Sequence, residues 1–223
     1  GVVVDASGLT VCSLAKLNPL AGGKSISVRG MTLTLKAQIE DLTITLPNGT
    51  KVPARVVLTN DELGLAFIAP TTPLAADQKS SITAVELSDA KAKILDEIII
   101  LARASKSMDY APMCTLTRIT AVMTKPRLMY YASAMSGSMV FSADGKLLGI
   151  AISKKITRAI DASSGKANIG TTLVILPTSE IKALLPKAIE ASKKPASAKP
   201  APSKPSPKPA EPAEPSGPAP GEV

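Results

Sequence analysis

The chain has 223 residues, 45% of them hydrophobic, with a formal charge of +8 and no histidine. That length suits one two-lobed domain or two small ones. With no histidine and no CxxC pair a structural zinc site is not expected, and with aromatics at 2% the stacking platforms of single-strand nucleic-acid binders are missing, so the basic balance reads as solvated surface.

Val, Ile, Leu and Ala must fill the core, and β-branched residues at this density favour strands. The text starts at Gly1 inside an apolar stretch, so a preceding N-terminal segment, such as a signal peptide, is expected. A short helix is expected after Val11. Met31, Leu33, Leu35 and Ile39 alternate with Thr32, Thr34, Lys36 and Gln38, which marks a strand. Leu42–Leu46 alternates again, Asn48-Gly49 is a strong hairpin signal, and Val52–Leu58 returns. Ile82–Leu87, Ile98–Leu101, Leu116–Val122 and Thr171–Leu176 add strands, and Met139–Phe141, Asp144-Gly145 and Leu147–Ile152 form a second hairpin. No run approaches the roughly 18 apolar residues of a membrane span. Many short strands with frequent turns predict an all-β barrel or sandwich.

One helix closes the folded part. Ile181, Leu184, Leu185, Ala188 and Ile189 share a helical face, Thr178 is the expected N-cap, and Pro186 is expected to kink or split the helix. From Lys193 onward ten prolines alternate with Ala, Lys, Ser and Glu. Such a segment has nothing apolar to bury and reads as an extended, disordered spacer or tether. Cys12 and Cys114 are expected to be small buried thiols.

Four segments in order resemble the trypsin-like domain of bacterial HtrA (Deg-type) serine proteases. Gly1–Ala15 resembles a strand-turn-strand that ends in the general-base histidine, and the histidine position falls on Ala15. Leu42–Ile68 resembles a hairpin followed by Asp-Leu-Ala; here the text is Gly64-Leu65-Ala66, so the position of the orienting aspartate is Gly64. Ala134-Met-Ser136-Gly-Ser-Met-Val140 resembles the nucleophile loop, with the serine kept as Ser136. Gly170–Pro177 and the helix after it resemble the last strand and closing helix. Residues 19–40 exceed the usual link, and an extra hairpin is expected there.

The resemblance implies two antiparallel β-barrels, barrel one over about 1–75 and barrel two over about 76–177. A closing helix at 178–192 and the disordered tail at 193–223 follow. It also implies an extracytoplasmic setting, periplasmic or secreted. A serine hydroxyl needs a base, and the base needs an orienting partner. Ala15 has no titratable group and Gly64 has no side chain, while Asp61 and Glu62 precede the strand and match a variable turn. The oxyanion donors would be the N–H groups of Ala134 and Ser136, with Ala134 and Ser138 standing where the family has glycine. The expected role is therefore a catalytically inactive homologue, a scaffold or binding module for a protein or peptide partner, with no cofactor and no metal.

Two rivals stay open. Lys16 or Lys125 could serve as base in a Ser-Lys hydrolase centred on Ser136, although Lys16 is expected to point away from that serine. Alternatively the tail could do the work, tethering a structural protein to an envelope or surface. Tyr130 and Tyr131 either close the family's specificity pocket or pack in the barrel. The partner's identity and the oligomeric state are not written in the sequence.

Overall fold

The structure is a computed structural model that describes residues 1–18, 24–28, 31–35, 39, 41–160 and 167–194. The expected Pro-rich tail, from residue 195 on, lies outside the described residues, as do positions 36–38 of the strand expected up to Ile39.

The N-terminal half contains β1 (Val2–Val3), β2 (Thr10–Ser13), a one-turn helix α1 (Leu14–Leu17), β3 (Lys24–Val28), β4 (Met31–Leu35), β5 (Thr43–Thr45), β6 (Lys51–Asn60) and β7 (Leu65–Pro70). Five of these form a sheet in the order β1-β2-β7-β6-β5 with antiparallel neighbours. The extra hairpin expected within residues 19–40 is β3–β4, which pairs Lys24 with Leu35 and Val28 with Met31. Asn48-Gly49 turns the β5–β6 hairpin as the sequence predicts. Gly49 takes φ +84°, its N–H donates to Leu46 O at 2.9 Å, and the Asn48 carboxamide oxygen accepts from Thr50 N at 3.0 Å. A register shift between Val56 and Leu58 bends β6 and lets the sheet curl.

A short helix α2 (Ala76–Ser80) leads into the connection between the two halves. Ile82–Leu87, expected as a strand, is irregular instead. The Val85 N–H donates to Val3 O at 2.9 Å, the Ser88 hydroxyl to Leu147 O at 2.7 Å and the Thr178 hydroxyl to Ser88 O at 2.6 Å. The segment is a strap stitched to both halves by scattered bonds, without the ladder a strand needs.

The second half holds β8 (Glu97–Arg103), a 3-10 turn (Lys106–Met108), β9 (Pro112–Arg118), β10 (Ala121–Met123), β11 (Met129–Tyr131), β12 (Met139–Ser142), β13 (Leu147–Ile160) and β14 (Ala167–Pro177). Their order is β10-β11-β14-β13-β12-β8-β9. The two ends of this list are one bent strand. Ile119 N–H still bonds back to Asp96 O, while Thr120 N–H has turned to Tyr131 O. The strand changes partners between these two residues, so the sheet curls round until its ends meet.

Mostly aliphatic side chains fill the seam between the sheets, as the composition requires. Leu9, Val11, Leu65 and Phe67 of the first pack with Leu147, Ile150, Ile152 and Leu176 of the second. Helix α3 (Thr178–Lys193) lies over this core through Ile181 and Ala188, with Leu184, Leu185 and Ile189 partly buried beside them. It runs through Pro186 without being split, and Pro177 rather than Thr178 takes the N-cap position. Arg55 on β6 closes the other end, donating from Nη2 to Ser192 O at 2.8 Å and to Lys194 O at 2.5 Å, which satisfies carbonyls the helix itself leaves open. Among the described residues no helix is long and apolar enough to cross a membrane.

Candidate functional site

Ser136 sits in a tight turn between β11 and β12. The Ser138 N–H and hydroxyl both donate to Met135 O, at 3.0 and 2.6 Å, closing the turn over Ser136 and Gly137. Gly137 has φ +86°, the positive value that the third position of a type II turn requires. The turn is tied to β13 by Gly137 N–H to Ala151 O at 2.7 Å and Ala151 N–H to Ser138 O at 2.9 Å. Ser136 is thereby held at the corner, half-buried, with its side chain toward the seam.

Its hydroxyl lies in a chain of three. Ser153 Oγ on β13 donates to Ser136 Oγ at 3.1 Å, and Ser136 Oγ donates to Ser13 Oγ at 3.1 Å. Ser13 ends β2 and is fully buried. Among the described residues, no lysine nitrogen and no carboxylate hydrogen-bonds to Ser136. Neither Ser13 nor Ser153 was singled out from the sequence. The one local signal was weak: Ser153 is the first polar residue after the apolar run Leu147–Ile152.

Ala15 and Gly64 border the same chain of hydroxyls. Ala15 is half-buried in α1, two residues beyond Ser13. Gly64 ends the turn between β6 and β7 with φ +66°, its N–H bonded to Asp61 O at 3.3 Å and its carbonyl accepting from Leu14 N at 2.8 Å. A methyl group on Gly64 would stand 3.6 Å from Ser153 O and 3.7 Å from Ile152 Cδ1. The fold thus brings residues 13–15, 64, 136 and 153 to one place on the seam.

Of the two acids in the neighbouring turn, Asp61 is exposed and Glu62 is paired elsewhere. Glu62 pairs with Arg127, which also reaches Glu180 in the first turn of α3 at 3.4 Å. This bridge joins the β6–β7 turn, the β10–β11 loop and the closing helix. Lys125 is exposed in that same loop. Lys16 is exposed, and its stem passes beside the Ser136 turn, where a methyl on Gly137 would lie 3.8 Å from Lys16 Cγ. Ala134 is half-buried, and among the described residues neither its N–H nor that of Ser136 donates to a backbone carbonyl.

Tyr130 is a core residue. It is fully buried among Ile98, Ile100, Ile119, Val140 and Leu148, and its hydroxyl accepts from Ala92 N at 3.3 Å. Tyr131 is exposed. The cysteines differ from each other, contrary to expectation. Cys12 is buried, and burial pushes its thiol up to about 11, whereas Cys114 is exposed on β9.

A family model described as the trypsin-like peptidase domain matches residues 1–150. Two solved structures share the architecture. The MamO protease domain from Magnetospirillum magneticum, in its apo form, is 16% identical over 81% of this chain and 84% of that one, with a TM-score of 0.50. A serine endoprotease from Yersinia pestis is 14% identical over 85% of this chain, with a TM-score of 0.53, and the chain spans 57% of its length. At such identities the likeness concerns the fold alone: two curled antiparallel sheets and a closing helix. A sequence comparison with curated proteins returns no match.

Proposed function

Because the chain belongs to the trypsin-like peptidase domain family, we propose that it is a catalytically inactive member whose former substrate cleft serves as a binding or scaffold surface for a protein or peptide. The observation that carries this reading is the surroundings of Ser136. Its hydroxyl is bonded to the hydroxyls of Ser13 and Ser153, and the 223 residues contain no histidine. Serine hydroxyls do not ionise near neutral pH and cannot take the nucleophile's proton. A serine without a base loses several orders of magnitude in rate. On this reading Ala15 stands at a vacated base position, Gly64 at a vacated acid position and Ser136 at a surviving nucleophile position. The division into barrel one (about 1–75), barrel two (about 76–177) and closing helix (178–192) belongs to the same proposal, as do an extracytoplasmic setting and a tethering role for residues 193–223.

A second reading has one observation in its favour. The Lys16 stem runs beside Gly137, the residue after Ser136, and a Ser-Lys hydrolase would need a lysine close to that serine. A fluorophosphonate probe separates the two. The inactive reading expects no labelling above that of the Ser136→Ala variant. Labelling that disappears in both Ser136→Ala and Lys16→Met would establish the hydrolase and overturn the first reading. Deleting residues 193–223 and measuring retention on the cell envelope tests the tether, and unchanged retention would rule it out.

A further inference from the structure

Six of the nine large hydrophobic side chains exposed among the described residues fall between positions 94 and 116: Ile94, Leu95, Met108, Tyr110, Met113 and Leu116. They lie along and at both ends of the β8–β9 hairpin. The three non-glycine residues with positive φ among the described residues are there too, Leu95 (73°) at one end and Asp109 (49°) and Tyr110 (51°) at the other. Backbone strain of this kind costs free energy and gathers where function retains it.

Strand β9 pairs with β8 along one edge, and no strand among the described residues pairs along the other. Six of its seven residues are exposed. Pairing register sets out two apolar rows on the outer face of the sheet, Leu116–Ile99–Phe141 and Cys114–Leu101–Met139, both running to this open edge. The opposite face carries Ile98, Ile100 and Val140 into the barrel core. An open edge strand of low charge is a template for another strand.

We propose that this edge is a dimer contact, in which β9 pairs antiparallel with β9 of a second copy of the chain about a two-fold axis at Thr115. Two features favour a second copy over another partner. The strand is self-complementary in this register: Cys114 faces Leu116 of the other copy, both apolar rows continue into the other copy's rows, and Arg118, the strand's one charge, faces Pro112. All seven residues pair only when Thr115 is central. The second feature is charge. The chain carries +8, so copies repel over most of their surface, but residues 94–118 hold three acidic and three basic side chains and are neutral. The hairpin is a face on which two like-charged molecules can meet.

Sedimentation velocity of the full chain over a concentration series tests the contact. The wild type is expected to move from monomer to dimer as concentration rises. Leu116→Glu, at a position 62% exposed and so free to change without unfolding, is expected to stay monomeric with an unchanged circular dichroism spectrum. Mild oxidation tests the register. In a Leu116→Cys variant, Cys114 and the new thiol of the other copy are directly opposed at a Cα separation of about 4.5–5.5 Å, within disulfide range, and a covalent dimer should form. In the wild type the two Cys114 residues are diagonal at about 7–8 Å and should not link. A wild type that is monomeric throughout, a dimer that persists in Leu116→Glu, or wild-type crosslinking as efficient as the variant's would overturn the proposal.

Discussion

Ser136 donates its hydroxyl proton to Ser13, 123 residues earlier in the chain, at 3.1 Å. Ser13 stands at the N-cap of α1 but makes no cap bond there, because its side chain is turned across the seam. The residue that local chemistry would use to start a helix instead joins the two sheets. A double-mutant cycle measures that link. Ser13→Ala and Ser136→Ala should each cost about 1 kcal/mol in urea unfolding. Together they should cost less than the sum, by about 0.5 kcal/mol or more, since each single variant already removes the shared bond. Strict additivity would mean that the two hydroxyls do not interact in solution.

Tyr130 separates packing from pocket. Buried completely, with its hydroxyl accepting from Ala92 N, it should lose about 1 kcal/mol as Tyr130→Phe and about 3–5 kcal/mol as Tyr130→Ala. Thermal melts of the two variants give this ordering. A pocket-lining tyrosine would change ligand binding in Tyr130→Ala with little loss of stability, the opposite pattern.

Local chemistry made the hairpins readable in advance. Asn48-Gly49 and Asp144-Gly145 hold their own glycines at φ +84° and +79°, and such turns are encoded by the residues that form them. Partners distant in sequence were less readable. Alternation at Ile82–Leu87 reports a half-buried extended segment, and Val85 and Leu87 do pack against the core, but alternation says nothing about whether a neighbouring strand pairs with it. The run Leu116–Val122 was rightly continuous as chain, yet its change of partner at Ile119–Thr120 depends on Asp96 and Tyr131, which no local pattern names. Thr178 looked like a cap because its hydroxyl precedes a helix; Ser88, ninety residues away, takes that hydroxyl. The same limit applies at the candidate site. The Ser136 turn carries its own signature in Gly137, while the partners Ser13 and Ser153 come from other strands.

Cys12 makes stability depend on pH in the alkaline range. A thiol in the unfolded chain titrates near 8.5–9. Burial raises Cys12 in the folded chain to about 11. Below the lower value both states are protonated and stability does not change. Above about 9 the unfolded state gives up the proton first, so stability should fall as pH rises toward 11, by about 2–3 kcal/mol in all. Urea midpoints at about pH 8 and about pH 10.5 read this fall, and Cys12→Ala should lack this component of it. Exposed Cys114 should react with a thiol reagent in the native protein, with Cys12 following only on unfolding.

Two glycines offer opposite steric environments, and the contrast bears on the site. A methyl on Gly149 would collide with the Leu176 carbonyl oxygen and lie 2.9 Å from its carbon, both backbone atoms of the paired β14. Gly149→Ala must push the ladder apart and should cost about 3 kcal/mol or more. Gly64 has ordinary space beyond its Cα and pays only for φ +66°, so Gly64→Ala should cost about 1–2 kcal/mol, and Gly64→Asn less, since Asn tolerates the left-handed region. Thermal melts should rank the three variants in that order. If Gly64→Ala proved as costly as Gly149→Ala, crowding at the seam would account for the missing side chain. The expected ranking has the opposite implication: crowding at the seam does not exclude a methyl group from position 64.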